Sequence, residues 1–357
     1  MKFLFTAGGG QATVFAAAPL ATAARNAGHE ILLAADEPLL GTAQAIGLPA
    51  AATPHPKLTS ARLDALTYLA AAWHPDLVVG GLSYVPGVVA TRLNVPYVRQ
   101  AWDVPRADMK QKAEEDLRPE LDRLGLAGLP DPDMFIDVCP PPLRPSYNLG
   151  AQPMRWIPRN RQCRLEPWMY TRPPGRHRVL ITSGTRTRLL GIPASSMRQL
   201  VRQLTRAGAE VLIAAPEEAA IQFGAELGDV RIGWIPLDVV ASTCDLAVHH
   251  GGATTAMTIM NAGVPHLIIP DNGYGKAVAQ AVSGFGAALM LPPEQDGSDP
   301  GEAIAAGCRE VLSTPRYAQR ARALVTEIAA LPTPAEVVRA LEARPLEART
   351  LKTTAAA

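Results

Sequence analysis

The segment of the sequence best equipped for chemistry is His249-His250-Gly251-Gly252, which follows a short apolar run and continues into Ala253-Thr254-Thr255. Glycines at a strand-to-helix junction let the backbone approach a ligand closely, and the helix start presents free N–H groups and a positive dipole end. His250 and the threonine hydroxyls can add hydrogen bonds to phosphate oxygens. The segment therefore predicts an anion site, with a plain tight turn capped by threonines as the alternative interpretation.

The composition is typical of a soluble globular protein. The 357 residues suit two domains, and 48% hydrophobic against 19% charged residues supplies two buried cores and argues against disorder. A formal net charge of +1 gives no electrostatic basis for a nucleic-acid or membrane-surface partner. No apolar stretch is long enough to span a membrane, and the apolar N-terminal run is too short for a signal peptide, so we expect a cytoplasmic protein. The widely spaced cysteines predict neither disulfides nor a zinc site.

Strands and helices are expected to alternate along the chain. The first βαβ unit combines a strand at 2–6, the turn Gly8-Gly9-Gly10, a helix at 12–27 and a strand at 30–35. Further strands are predicted at 76–80, 95–99, 179–182, 210–214, 230–232, 245–249 and 266–269, and further helices at 61–72, 86–93, 195–208, 254–262, 303–312 and 317–331. This alternation predicts an α/β fold with parallel sheets covered on both faces.

The two halves of the chain are expected to repeat one architecture. We place the domains at residues 1–172 and 177–340, with Pro173-Pro174-Gly175 as the linker and 341–357 as a C-terminal tail. Residues 103–134 are charged and are expected to be helical. Residues 139–176, rich in proline and arginine, carry few periodic signals.

Several separated motifs, in order, resemble one family. Those of the second half are Gly233-Trp234-Ile235-Pro236-Leu237, Cys244-Asp245-Leu246, the segment 249–255 and residues 262–270. They resemble the donor half of bacterial antibiotic glycosyltransferases of the GT-B fold, in which a cleft lies between two Rossmann-like domains. The glycine turn, residues 12–30 and the segment 136–141 of the first half resemble the same family. Within it, the chain is most similar to deoxysugar transferases of angucyclines and related aromatic polyketides, C-glycosylating olivosyltransferases among them.

The resemblance implies a set of binding residues. Residues 1–172 would bind the acceptor and 177–340 the nucleotide sugar. Trp234 and the backbone of Ile235 would hold the nucleotide base. The anion site predicted above would be a seat for the diphosphate, and Ser183 and Thr185 would contact the diphosphate from the opposite side. The seat itself would comprise His250, Gly252, Ala253, Thr254 and Thr255, and Gly10 would line the cleft near sugar and acceptor. The alternatives are a core tryptophan at a strand end and ordinary strand-end capping by Ser183 and Thr185.

The sugar-binding segment departs from the common pattern of the family. Many relatives carry an Asp-Gln pair that binds sugar hydroxyls, whereas this chain reads Pro270-Asp271-Asn272-Gly273. Asp271 remains as a sugar contact. A donor with fewer hydroxyls needs fewer such hydrogen bonds, because an unpaired buried polar group is costly. The hypothesis is therefore a TDP-linked 2,6-dideoxy sugar, used as co-substrate with no further cofactor.

The general base is the second departure. Many O-glycosyltransferases of this fold have a histidine at the start of the first helix, where this chain has Thr13, and threonine is no base near neutral pH. Asp137 is the remaining catalytic candidate, and a structural aspartate capping a proline-rich turn is its alternative interpretation. Asp137 as the base implies inversion at the anomeric carbon. No DxD-type motif predicts a metal, and the stretch between Pro56 and Trp73 is shorter than in relatives.

Three other functions stay open at this point. An inactive auxiliary partner of another glycosyltransferase would explain the missing histidine. A nucleotide-sugar epimerase of the same fold would need several carboxylates around the sugar, of which only Asp271 is placed. An NAD(P) oxidoreductase is disfavoured because Gly8-Gly9-Gly10 does not continue into GxGxxG. We also leave open whether the chain forms a homodimer, which linkage it makes and which acceptor it uses.

Overall fold

The computed structural model describes residues 1–81, 83–104, 108–146, 150–185, 189–227, 230–292 and 299–343. These residues divide into two compact units. The first comprises residues 1–139, 144–155 and the C-terminal part of the chain from Leu331, and the second comprises 140–143 and 156–330. Each unit is built on one parallel sheet.

The first unit contains a seven-stranded parallel sheet with the order β3-β2-β1-β4-β5-β6-β7 among its described residues. The strands are β1 (Lys2–Thr6), β2 (Glu30–Asp36), β3 (Ala50–Thr53), β4 (Leu77–Gly80), β5 (Tyr97–Gln100), β6 (Met134–Asp137) and β7 (Gln152–Pro153). The helices of this part are α1 (Gln11–Asn26), α2 (Leu40–Ala45), α3 (Thr59–Trp73), α4 (Val85–Arg92) and α5 (Asp108–Arg123). Strand β4 is buried along its whole length, as expected for a strand with helices on both faces.

In its described ranges, the second unit contains a six-stranded parallel sheet with the order β10-β9-β8-β11-β12-β13. Its strands are β8 (Arg178–Thr182), β9 (Glu210–Ala214), β10 (Arg231–Gly233), β11 (Leu246–His249), β12 (His266–Ile268) and β13 (Ala288–Met290). Its helices are α6 (Pro167–Tyr170), α7 (Ala194–Arg206), α8 (Glu217–Leu227), α9 (Leu237–Val240), α10 (Ala253–Ala262), α11 (Gly273–Phe285), α12 (Pro300–Ser313) and α13 (Pro315–Ala329). Counted from β8, the strand order is 3-2-1-4-5-6, which is the Rossmann order.

The two-domain α/β prediction is confirmed in its architecture, and several elements are corrected. Residues 103–134 are only partly helical, because the chain leaves α5 at Arg123 and β6 begins at Met134 beside β5. The sequence patterns also did not predict strands β3, β7 and β13 or helices α2, α6, α8, α9 and α11. Helix α11 was missed because it opens with two glycines at Gly273 and Gly275, which resemble a loop.

The division into units differs from the predicted boundaries at 172 and 177. Pro173-Pro174-Gly175 lies inside the second unit. The chain passes between units on either side of the short segment 140–143, at Arg155/Trp156 and at Ala330/Leu331. The last helix, α14 (Pro334–Ala343), belongs to the first unit, where it packs against α1. His29, three residues beyond the end of α1, has its Nε2 2.8 Å from the Glu342 carboxylate of α14, so residues more than 300 positions apart in sequence are in contact. Most of the predicted tail, residues 344–357, lies outside the described residues.

No helix in the described ranges combines the length and the apolar character that a membrane crossing requires.

Candidate functional site

The strand order of the second unit points to one place for a ligand. The connection from β8 leads outward to β9, whereas β11 lies on the opposite side of β8. Ligands of open α/β sheets bind beyond the carboxyl ends of strands at such a reversal. The segments that follow these two strands are Ser183-Gly184-Thr185 and His250-Gly251-Gly252, so two of the predicted binding segments share this edge.

The turn between β11 and α10 has the geometry of an anion seat. Gly251 has φ +82°, a left-handed conformation that favours glycine. Gly252 is the N-cap of α10 and provides no side chain to cap the helix. The first N–H groups of a helix have no acceptor within the helix, so those of Ala253 and Thr254 are oriented toward whatever lies beyond its start. Thr254 lies in the regular first turn of α10, where the backbone has ordinary helical geometry.

The His250 side chain lies directly beside this turn. A methyl group built on Gly252 would lie 2.5 Å from His250 Nε2, so glycine at this position leaves room for the imidazole. From β8, a methyl group on Gly184 would lie 3.6 Å from His250 Cε1 and 3.8 Å from Thr255 Oγ1. The turn therefore brings the side chains of His250 and Thr255 close to the segment 183–185 that follows β8, called the β8 loop from here on.

The geometry of Ser183 supports the strand-end capping alternative. Its side chain is buried, and its hydroxyl oxygen accepts the backbone N–H of Leu190 at 2.6 Å. Thr185 is exposed, and Gly184 donates its N–H to Thr182 Oγ1 at 3.0 Å. These bonds hold the β8 loop in place and leave Thr185 as the more accessible hydroxyl of the predicted pair.

The predicted sugar segment leads into α11. Asp271 is exposed and precedes Asn272, for which the sequence predicted no role. Asn272 is the N-cap of α11, and its side-chain oxygen accepts the N–H of Gly275 at 2.9 Å. Gly275 in turn packs tightly on the seat, because a methyl group on Gly251 would lie 2.7 Å from its Cα and from its carbonyl oxygen. Asp271 is therefore carried on a loop that is fixed against the Gly251 turn.

Trp234 follows β10 on the same edge of the sheet and is half-buried. The Arg161 guanidinium lies over the indole ring, 4.6 Å from its centroid, and the indole N–H donates to the Arg161 carbonyl at 3.2 Å. The predicted backbone partner Ile235 has its side chain buried in a core cluster. A base stacking on Trp234 would therefore use the indole face opposite Arg161.

A buried histidine pair, for which no sequence motif gave a signal, lies beneath the seat. His249 Nε2 and His266 Nδ1 are 2.9 Å apart, and both side chains are completely buried. Burial lowers the pKa of His266 to about 3, and burial and then the neighbouring His266 and His250 hold the pKa of His249 well below its ordinary value. Both rings are therefore neutral at neutral pH.

In the first unit, the glycine turn after β1 is held by side chains. Thr13, the residue in place of the family histidine, donates its hydroxyl to the Gly10 carbonyl at 2.8 Å and accepts the Gly8 N–H at 2.9 Å. Gly9 donates its N–H to Asp36 at 3.1 Å. Thr13 thus caps this turn, and Gly10 lies at the start of α1 beside it.

The surroundings of Asp137 favour its structural interpretation. The side chain is completely buried at the end of β6 and lies 2.8 Å from Arg144 Nε. Its other oxygen accepts the N–H of Cys139 at 2.9 Å. A carboxylate that is buried, ion-paired and capping a turn lacks the access to an acceptor that a general base needs. This geometry weighs against the hypothesis that Asp137 takes the proton.

The described residues hold no cluster of three or more His, Cys, Asp or Glu side chains able to bind a metal ion.

Comparison with known proteins identifies the family. Models described as Erythromycin biosynthesis protein CIII-like match residues 53–184 with their N-terminal domain and residues 198–344 with their C-terminal domain. L-demethylnoviosyl transferase of Streptomyces niveus is 33% identical, and the match covers 96% of this chain and 98% of the relative. TDP-daunosamine transferase DnrS of Streptomyces peucetius is 30% identical, with 78% of this chain and 70% of the relative covered.

Among solved structures, the chain is similar to spinosyn rhamnosyltransferase SpnG complexed with thymidine diphosphate. The TM-score is 0.85 at 28% identity, with 96% of this chain and 100% of that chain covered. Fold and sequence together define a glycosyltransferase with two Rossmann-like domains. The chain belongs to the EryCIII-like glycosyltransferase family of antibiotic biosynthesis.

Proposed function

We propose that the protein transfers a deoxysugar from a TDP-sugar to an aromatic polyketide, with inversion at the anomeric carbon and without a metal ion. The observation that carries this proposal is the convergence of three elements at the reversal point of the second sheet. They are the start of α10, the imidazole of His250 and the loop after β8. Such a site suits a diphosphate that departs with negative charge.

The donor nucleotide is supported by the relatives. One similar structure contains thymidine diphosphate, and one relative is named for transfer from a TDP-sugar. In our proposal the base stacks on the face of the Trp234 indole opposite Arg161, and the diphosphate accepts hydrogen bonds from Ala253, Thr254 and His250. Gly252 supplies the close approach, and the hydroxyls of Thr185 and Thr255 complete the seat. The backbone of Ile235 binds the edge of the base.

The bond changes define what the seat must do. The acceptor forms a bond to the anomeric carbon while the bond from that carbon to the diphosphate oxygen breaks, and TDP leaves with the electron pair. The N–H groups at the start of α10 and His250 stabilise the charge that develops on this oxygen. Because they supply this stabilisation, the proposal needs no metal ion.

The sugar is proposed to be poor in hydroxyl groups. Asp271 is exposed on the loop that leads into α11, while Asn272 uses its side-chain oxygen to cap that helix. The segment therefore offers one carboxylate where the family pattern offers an Asp-Gln pair. A 2,6-dideoxy sugar needs fewer partners, which fits this segment.

The acceptor and the linkage rest on the sequence resemblance to deoxysugar transferases of aromatic polyketides. Attack through a ring carbon next to a phenol would give a C-glycoside, and attack through the phenol oxygen an O-glycoside. The buried Asp137–Arg144 pair and the capping role of Thr13 support neither residue as the proton acceptor. We therefore propose a phenol acidic enough to lose its proton to solvent before it attacks. When a ring carbon attacks instead, the hydrogen on that carbon also leaves to solvent as a proton, which restores the aromatic ring.

The donor seat is tested by equilibrium binding of TDP, measured by isothermal titration calorimetry. We expect His250→Ala to weaken binding by roughly tenfold, because a hydrogen bond to a charged group contributes about 1.5–3 kcal/mol. His177→Ala is the matched control, since His177 is exposed and precedes β8 at the opposite edge of the sheet. Failure of the unmodified protein to bind TDP would remove the proposed donor.

Transfer itself is tested with a TDP-2,6-dideoxy sugar and a panel of polycyclic phenols. We expect one glycoside whose anomeric configuration, read from proton coupling constants, is opposite to that of the donor. Retained configuration would contradict the single displacement. TDP binding without transfer to any acceptor would instead favour an auxiliary role, and release of an isomerised nucleotide sugar would favour an epimerase.

A further inference from the structure

The buried pair of His249 and His266 is connected by hydrogen bonds to the proposed diphosphate seat. The backbone N–H of Gly251 donates to His249 Nδ1 at 3.0 Å, and the opposite nitrogen of that ring lies 2.9 Å from His266 Nδ1. The two rings meet edge to face, with their centroids 5.1 Å apart. A continuous chain of polar contacts therefore runs from β12 through β11 to the turn.

The direction of this chain follows from elementary chemistry. A backbone N–H can only donate, so His249 Nδ1 carries a lone pair, and a neutral imidazole then has its proton on Nε2. His249 Nε2 therefore donates to His266 Nδ1, which places the proton of His266 on its own Nε2. The Gly251 bond thus selects one tautomer for both rings.

The bond matters because Gly251 is the residue that turns the chain. With φ +82° and the backbone of Gly275 packed against it, the turn has little space for adjustment. The peptide between His250 and Gly251 carries both the N–H bound by His249 and the carbonyl that approaches Gly275. Rotation of this peptide would move the His250 side chain and the start of α10 together.

We propose that His266 and His249 are positioning residues that hold the Gly251 turn in the conformation required for diphosphate binding. Both side chains are buried beneath the turn, so they act through the backbone rather than by touching the ligand. This inference rests on the proposed donor site. Beyond that site, we infer that His266 Nδ1 on β12, by accepting the proton of His249 Nε2, influences how tightly the turn binds the diphosphate.

The test compares two replacements of His266 by titration with TDP. Glutamine keeps an oxygen that can accept the His249 Nε2 proton, so His266→Gln is expected to bind TDP within about threefold of the unmodified protein. Leucine offers no acceptor, so His266→Leu is expected to lose roughly tenfold or more. Leu204→Ala on α7 is the control for general loss of stability, and it should lower the melting temperature while leaving TDP affinity unchanged.

A second measurement follows the tautomers directly. In protein labelled with ¹⁵N-histidine, long-range ¹H–¹⁵N spectra should assign the Nε2–H tautomer to His249 and His266, and His266→Leu should change the His249 pattern. Equal TDP affinity of the leucine and glutamine variants, or Nδ1 protonation of His249 in the unmodified protein, would overturn the inference. If the unmodified protein does not bind TDP, the donor site itself is refuted, and the positioning role falls with it. The NMR spectra would then still test whether the hydrogen-bonded chain exists.

Discussion

Arg144 Nε lies 2.8 Å from the carboxylate of Asp137, and both residues belong to the first unit. We expect Asp137→Ala and Arg144→Ala each to lower the free energy of unfolding of this unit by about 3 kcal/mol, because removal of one partner leaves a buried charge unpaired. Urea unfolding, followed by circular dichroism, measures the loss.

The double variant distinguishes a structural pair from a catalytic base. If the two residues act on each other, the double variant should lose clearly less than the sum of the single losses. A folded and fully stable Asp137→Ala protein without transferase activity would restore Asp137 as the base. Arg118→Ala, which breaks the partly exposed ion pairs with Glu114 and Asp122 within α5, is the control and should change stability by less than about 1 kcal/mol.

The contrast between Asp137 and His250 shows what the sequence could predict. The strand–glycine–helix turn at His250 was predictable because these elements are contiguous in sequence, and local chemistry determines where their N–H groups lie. The role of Asp137 was not, since its partner Arg144 is marked by no periodic pattern. Likewise Arg161 meets Trp234 across 73 positions, and His266 meets His249 across neighbouring strands. Contacts of this kind depend on which strands are neighbours in the sheet, and the sequence alone did not predict the strand order.

Some secondary-structure elements were not predictable from the sequence for local reasons. Strand β6 is only four residues long, from Met134 to Asp137, and a connection of ten residues separates it from the charged helix α5. Helix α11 begins with glycines, and the signal that could have revealed it is Asn272, a favoured N-cap residue. Asn272 stands in the segment that departs from the Asp-Gln pattern, and as an N-cap residue it would have predicted that a helix starts there.

Gly252→Ala should weaken TDP binding without unfolding the protein. The added methyl group would lie 2.5 Å from His250 Nε2, so the imidazole must move away from the turn. We expect a loss of affinity similar to that of His250→Ala, roughly tenfold, since both changes remove the same hydrogen bond. Calorimetric titration with TDP measures it.

Gly284→Ala provides the matched control for this substitution. Gly284 lies in α11, and a methyl group there would meet no atom within 4 Å. Alanine in a helix is favoured over glycine by about 0.5–1 kcal/mol, so stability should rise slightly and TDP affinity should stay constant. Normal TDP binding by Gly252→Ala would show that the His250 position is irrelevant to the site.

Arg161→Ala should reduce TDP affinity by roughly two- to fivefold. The guanidinium covers one face of Trp234 and fixes the indole, and an exposed cation–π contact contributes about 0.5–1 kcal/mol. The effect should vanish in a Trp234→Ala background, because Arg161 acts on the base only through the indole ring.

Arg164→Ala, at an exposed arginine three positions along, controls for loss of positive charge near the site. The double-mutant cycle requires TDP titrations of the unmodified protein, of Arg161→Ala, of Trp234→Ala and of the variant that carries both changes. An increase in TDP affinity on Arg161→Ala would mean that Arg161 occupies the face the base needs, contrary to the arrangement proposed here.

The stability of the second unit should fall as the pH drops below about 6.5. The pKa of both His249 and His266 is lowered in the folded protein, to about 3 for His266, whereas both should titrate near 6.5 when unfolded. Between these values the unfolded chain binds more protons than the folded one, so acid favours unfolding. Two such histidines together remove about 2 kcal/mol between pH 6.5 and 5.5.

Urea unfolding of the second unit, followed by tryptophan fluorescence between pH 8 and 5, measures this dependence. Above pH 7 the contribution of the pair should be constant, because both histidines are then neutral in either state. The variant His266→Gln removes one of the two titrating groups, so its slope below pH 6 should be roughly half that of the unmodified protein. A free energy of unfolding that stays level from pH 7 to pH 5 would mean that these imidazoles are not buried in neutral form, and the hydrogen-bonded chain to Gly251 would lose its basis.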